Sequence, residues 1–213
     1  MTERLLKMCG FSDMAYCNGD YIDQCYGSTP CNDNDLVQSC IHKHIKNKPF
    51  FFDAKETGHS DAQAYIFLTN DNELVISCRG TESRSDVLTD LKAWKNNLYD
   101  VYYHNNYCRF RNKFGVPTVH AGFYDQYNTI KFIIYHKIYN YLLTKPKNPK
   151  IVFTGHSLGG ALATIGALCT AVQFSNRNDV EIKCYTYGSP RDGNSCFAKI
   201  FNKFVHESER IVN

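Results

Sequence analysis

Residues 151–163 read IVFTGHSLGGALA, an apolar run that turns through Gly155, His156, Ser157, Leu158 and Gly159 into an alanine-rich segment. No other stretch restricts the fold so strongly. Ile151, Val152 and Phe153 suit a buried strand, while Leu158, Ala161, Leu162, Ile165 and Leu168 recur at helical spacing. Between strand and helix stands GxSxG, the pattern of a nucleophile elbow. Its glycines are needed because the turn strains the serine backbone and brings the residues two positions to either side into collision. The bare pattern arises by chance too often to carry the argument alone, and the flanking strand and helix supply the rest. A plain glycine-rich helix N-terminus is set aside on that context.

Composition narrows the remainder. The chain has 213 residues, 43% of them hydrophobic and 14% aromatic. That is enough for one domain with a sizeable core, and it excludes general disorder. A net charge of +3, with lysines scattered along the sequence, implies no nucleic-acid partner. The amino terminus, MTERLLKMCGF, lacks a secretory apolar core. No apolar run approaches the roughly 18 residues of a membrane span. Ten cysteines are many, yet without an evident leader the reduced-thiol reading is preferred, and with it the cytoplasm slightly over secretion. Cys31, Cys40, His42 and His44 do not make a metal site, since no CxxC pair anchors them and their alternation does not suit one helix face.

Along the chain, residues 1–60 read as a helical amino-terminal region, with helices to about residue 17 and over 35–44. Residues 64–68 and 74–78 are β-rich runs joined by Asn70, Asp71 and Asn72, a hairpin signal. Residues 102–116 lack a period and read as an exposed connection. A long aromatic-aliphatic helix is expected over 123–143 and ends before Pro146 and Pro149. After the elbow come a strand over 181–187, a helix capped by Asn194 and running to about 205, and a strand starting at 210. Alternating strands and helices predict an α/β domain, its mainly parallel sheet covered by helices on both faces.

Acyl transfer at Ser157 needs donors aimed at the developing oxyanion. One is the amide of Leu158, at the helix N-terminus. Arg79, Gly80 and Thr81 close a predicted strand at the end where α/β sheets place their sites, so Thr81 is a candidate second donor, with a simple strand-ending turn as the alternative. Residues 81–94 form an amphipathic stretch with Val87, Leu88, Leu91 and Trp94 on one stripe. It reads as a lid that opens at a lipid surface, or as a helix packed permanently on the core. His120 precedes Ser157 and so breaks the serine, acid, histidine order of α/β-hydrolases; it reads as a structural hydrogen-bonder. Asp179, Glu181, Asp192, Glu207 and Glu209 follow the serine. Asp192 with His206 satisfies the order, although a helix separates them and His206 precedes the last strand.

The segments RGTESRSDVLTDL, HAGFYDQY, TGHSLGGALATIGAL and YTYGSPRDGNSCFAKIF, in this order, resemble the class 3 (fungal type) triacylglycerol lipase family. The likeness reaches back to AYC at 15–17 and forward to ERIVN at 209–213. It implies the α/β-hydrolase fold, Ser157 as nucleophile, Thr81 and Leu158 as oxyanion donors, a lid over about 83–91, a lipid ester substrate, and no metal or organic cofactor. One departure accompanies it. The family's triad aspartate and histidine follow a strand like RIVN, and this sequence reaches only Asn213, so neither role transfers to a residue here. Two readings follow: an amino-terminal part of a longer lipase, which is preferred, or a natural short protein with a crippled site. The corresponding functions are a serine carboxylic ester hydrolase and a non-catalytic lipid- or protein-binding remnant of one.

Overall fold

A computed structural model describes residues 2–17, 19–27, 36–57, 61–80, 95–98 and 115–212. Three helices come first: α1 (Glu3–Met14), α2 (Gly19–Gly27) and α3 (Leu36–His44). Then follow β1 (Phe50–Asp53), β2 (Gln63–Leu68), β3 (Glu73–Cys78), β4 (Lys95–Asn97), β5 (Thr118–His120), α4 (Ala121–Leu143), β6 (Lys150–His156), α5 (Leu158–Gln173), β7 (Glu181–Tyr187), α6 (Ser195–Phe204) and β8 (Glu207–Ile211). The main sheet has the order β1-β2-β3-β6-β7-β8. Its β1, β2 and β3 pair antiparallel, and β3, β6, β7 and β8 pair parallel. This is the α/β architecture that the sequence predicts.

Alternation along the strands divides the core between two faces. Leu74 and Ile76 of β3, with Ile151 and Phe153 of β6, point toward α4, α5 and α6. Val75 and Val152 point the other way, under Met8, Phe11 and Met14 of α1. The Ser77 and Thr154 hydroxyls on that second face donate to the carbonyls of Phe11 and Met8, at 2.5 and 3.3 Å. Buried polar strand residues thereby tie α1 to the sheet. Helix α5 is apolar nearly all round because it lies between the sheet and α4, with every residue from Leu158 to Val172 buried except Thr164.

Three elements differ from the sequence reading. Residues 1–60 are not helical throughout: β1, a run of three phenylalanines with no alternation to mark it, joins the main sheet as an edge strand. Helix α2 has only nine residues and both opens and closes on glycine, so it does not stand out in advance. Strand β8 begins at Glu207, three residues early, because Glu207 bonds Lys183 on β7 (2.6 Å) and so belongs to the ladder in spite of its charge.

Candidate active site

Ser157 sits where β6 ends and α5 begins, with φ 54° and ψ −125°. A serine rarely holds that backbone conformation, which costs on the order of 1–3 kcal/mol. The surrounding contacts enforce it. The Ser157 amide donates to the Tyr187 carbonyl of the neighbouring strand (2.9 Å), and its own carbonyl receives the amide of Gly160 (3.0 Å). A Cβ on Gly155 would strike the Gly159 carbonyl, and one on Gly159 would strike the Cys78 carbonyl and approach Gly80 N to 2.8 Å. Backbone therefore packs directly on backbone between the end of β3 and the elbow, and only glycine fits. Leu158 opens α5, so its amide is among the first-turn donors that find no acceptor within the helix. Ser157 is only partly buried.

Gly80 ends the described part of the second wall. Thr81, the candidate oxyanion donor, and the lid expected over 81–94 lie outside the described residues; Gly80 is packed against Gly159 immediately before them. Arg79 is held by Gln63, whose backbone and side-chain oxygens accept at 2.9 and 2.6 Å. Sequence reasoning passed over Tyr16. Its hydroxyl lies 2.9 Å from Nδ1 of His156, the residue before the nucleophile, and it also donates to the His156 carbonyl at 3.3 Å. The AYC segment was visible at 15–17, but nothing local says that α1 delivers this hydroxyl to the elbow across 140 residues.

The structure does not bring Asp192 and His206 together at Ser157. Ile182 donates its amide to Nδ1 of His206 (3.1 Å), and Ile182 pairs with Ile151 at the start of β6. Ser157 follows His156, which pairs with Tyr187. Five strand residues, about 17 Å, separate the two levels, so His206 lies at the base of the sheet while the nucleophile stands at its other end. Asp192 occupies the loop after β7, its carbonyl accepting from the His120 amide (2.9 Å). Burial pushes its carboxyl up to about 7, opposed by the Thr164 hydroxyl, the charge of Arg210 and the Ser189 hydroxyl. Thr164 lies seven residues beyond Ser157, about 10 Å along α5. The adjoining cavity of about 390 Å³, walled by Thr164, Phe197, Phe201 and Arg210, does not include the nucleophile.

The other acids after the serine have partners elsewhere: Asp179 pairs with Arg177 (2.6 Å), and Glu181 and Glu207 with Lys183 (3.2 and 2.6 Å). Glu209 is exposed on β8. His120 stands just before α4 with its ring 4.3 Å from that of Phe123. Of the residues weighed as metal ligands, Cys31 lies outside the described residues, and Cys40 is buried against α1 with its thiol directed at the Lys7 carbonyl.

A strained serine thus stands between a parallel strand and a helix, flanked by forced glycines. Residues 75–213 match the family described as Lipase (class 3). The chain belongs to the class 3 lipase family. Over 66% of its length it is 30% identical to phospholipase A(1) DAD1, chloroplastic, of Arabidopsis thaliana, covering 32% of that protein. Over 94% of its length it is 22% identical to the secreted mono- and diacylglycerol lipase A of Penicillium cyclopium, covering 61% of it. The chain thus spans less than two thirds of either relative. Lipase II from Rhizopus niveus superposes with a TM-score of 0.73 over 99% of this chain and 70% of its own, at 22% identity, so the α/β-hydrolase fold is shared. These relatives also correct one reading. The amino terminus and cysteines favoured the cytoplasm, whereas these two relatives are named as a chloroplastic and a secreted protein.

Proposed function

We propose that this class 3 lipase hydrolyses carboxylic esters of lipids through an acyl-enzyme on Ser157. The observation that carries the proposal is the Ser157 backbone, held at φ 54° at the head of α5 by contacts that admit only glycine around it. In this reading the Ser157 hydroxyl adds to the ester carbonyl, and the Leu158 amide and Thr81 receive the negative charge on its oxygen. The alcohol departs and water then releases the fatty acid. A residue that takes the serine proton is not assigned, because His206 is turned to the base of the sheet. The named substrates of the relatives, mono- and diacylglycerols and phospholipids, make glycerol esters the first substrates to assay. A fluorophosphonate probe is expected to label Ser157, and Ser157→Ala is expected to lose both labelling and ester hydrolysis. Equal turnover by the variant ends the proposal.

The placement of His206 at the base of the sheet fits a second reading, a lipid-binding scaffold in which Ser157 does no chemistry. Under it, Ser157→Ala changes neither lipid binding nor an already negligible turnover.

A further inference from the structure

Helix α4 is apolar on two sides. Its inner side carries Tyr127, Ile130, Ile134 and Ile138, all fully buried against the sheet and α5. Its outer side carries Phe132 and Leu143, each 77% exposed and the most exposed large apolar side chains among the described residues, with Tyr139 between them at 46%. Positions 132, 139 and 143 fall on one stripe, since steps of seven and four residues return to the same side of a helix. Phe132 and Leu143 are not part of the described core, whereas the Tyr139 ring lies 5.4 Å from that of the core residue Phe174.

Charge gathers beside it. Residues 121–150 contain five lysines against the single aspartate Asp125, a net +4, whereas the whole chain sums to +3. Three of these lysines, Lys131, Lys145 and Lys147, flank the ridge, whereas Lys137 stacks on Phe50 of β1 and Lys150 opens β6; the rest of the chain is close to neutral. Lys131 adjoins Phe132, and Lys145 and Lys147 are exposed just past Leu143. Among the described residues no helix is long and apolar enough to cross a membrane. An apolar ridge edged with lysines on a non-spanning helix suits a surface that is apolar below and anionic above.

We propose that the outer side of α4 is a contact surface for an anionic lipid-water interface. The helix runs from the site end, where His120 meets the Asp192 loop, to the base, where the Tyr141 hydroxyl donates to the Asn72 carbonyl at 2.7 Å. Phe132 lies about 18 Å of helix from His120. The contact therefore recruits the protein by its flank, and it does not rest on the chemistry of Ser157.

Sedimentation of the full chain with vesicles of non-hydrolysable ether-linked phosphatidylcholine, with and without about one third phosphatidylserine, tests the proposal. Binding to the anionic vesicles is expected, weakened by salt and equal for Ser157→Ala. The double variant Phe132→Ser with Leu143→Ser should bind at least about tenfold more weakly. Lys145→Gln with Lys147→Gln should reduce binding to anionic vesicles alone. All four positions are exposed, and an unchanged far-ultraviolet circular dichroism spectrum is the control for folding. Three outcomes overturn the proposal: undiminished binding by the Phe132 and Leu143 variant, equal binding to both vesicle types, or a solution dimer that the same substitutions dissociate. Failure to bind with retained turnover of a soluble ester removes this surface and leaves the Ser157 proposal standing.

Discussion

The two ends of the parallel strands are built on different principles. At the base, charge is paired. Glu73, whose side chain is 2% exposed, receives Arg4 at 3.2 Å with the Lys7 ammonium 4.0 Å from its other oxygen, and Lys183 lies between Glu181 and Glu207. At the opposite end Ser157 keeps a strained backbone, and Asp192 has one carboxylate oxygen buried without a hydrogen-bond partner among the described residues. An end that only holds the fold together can pair its charges, although Glu73 Oε2, like Asp192 Oδ1, accepts no hydrogen bond among the described residues. An end that is to react must leave a group in a conformation or a protonation state that the rest of the structure maintains.

The largest effect expected at the strained end is the loss of turnover in Ser157→Ala, on the order of 10⁶-fold if the acyl-enzyme is formed, read from initial rates on a soluble ester. A variant as active as the parent would mean that the strain serves no chemistry.

Next comes the pH dependence set by Asp192. Its value is raised from 3.8 to about 7, so the folded state retains a proton that the unfolded chain releases. The stability linked to this group is complete below about pH 4 and is lost as pH rises through 7. Asp192→Asn removes that slope, and the parent should lose stability relative to it, by a few kcal/mol at most, as pH rises from about 4 through 7, measured by urea unfolding between pH 4 and 9. Parallel curves for the two proteins would show that the carboxyl is paired after all.

The base should answer in the opposite sense. Glu73→Ala leaves Arg4 and Lys7 without their buried partner and is expected to cost about 3 kcal/mol at neutral pH, with turnover per folded molecule unchanged. A neutral result would place the base pairs among ornamental surface contacts. The smallest change separates positioning from stability: Tyr16→Phe removes the hydroxyl beside His156 and should cost about 1 kcal/mol in unfolding free energy. A drop in kcat larger than that loss implies would show that Tyr16 orients the elbow, whereas wild-type kinetics would make it a structural contact only.

Sequence alone determined the elements whose signal is contiguous. The elbow at 151–163, the hairpin of β2 and β3, the long α4 and the Asn194 cap, whose side chain accepts from the Phe197 amide at 2.8 Å, each place their decisive residues within a few turns or pleats of one another. The candidate site was legible to the same extent: Ser157 and Leu158 belong to one turn, whereas Thr81 falls outside the described residues. Tertiary structure decided the relations between distant segments. It set the Tyr16 hydroxyl against His156, sent His206 to the base of the sheet and placed Asp192 half-buried in the loop after β7. The physical reason is that strand order and helix docking determine which ends meet, and local periodicity records only which side of an element is apolar.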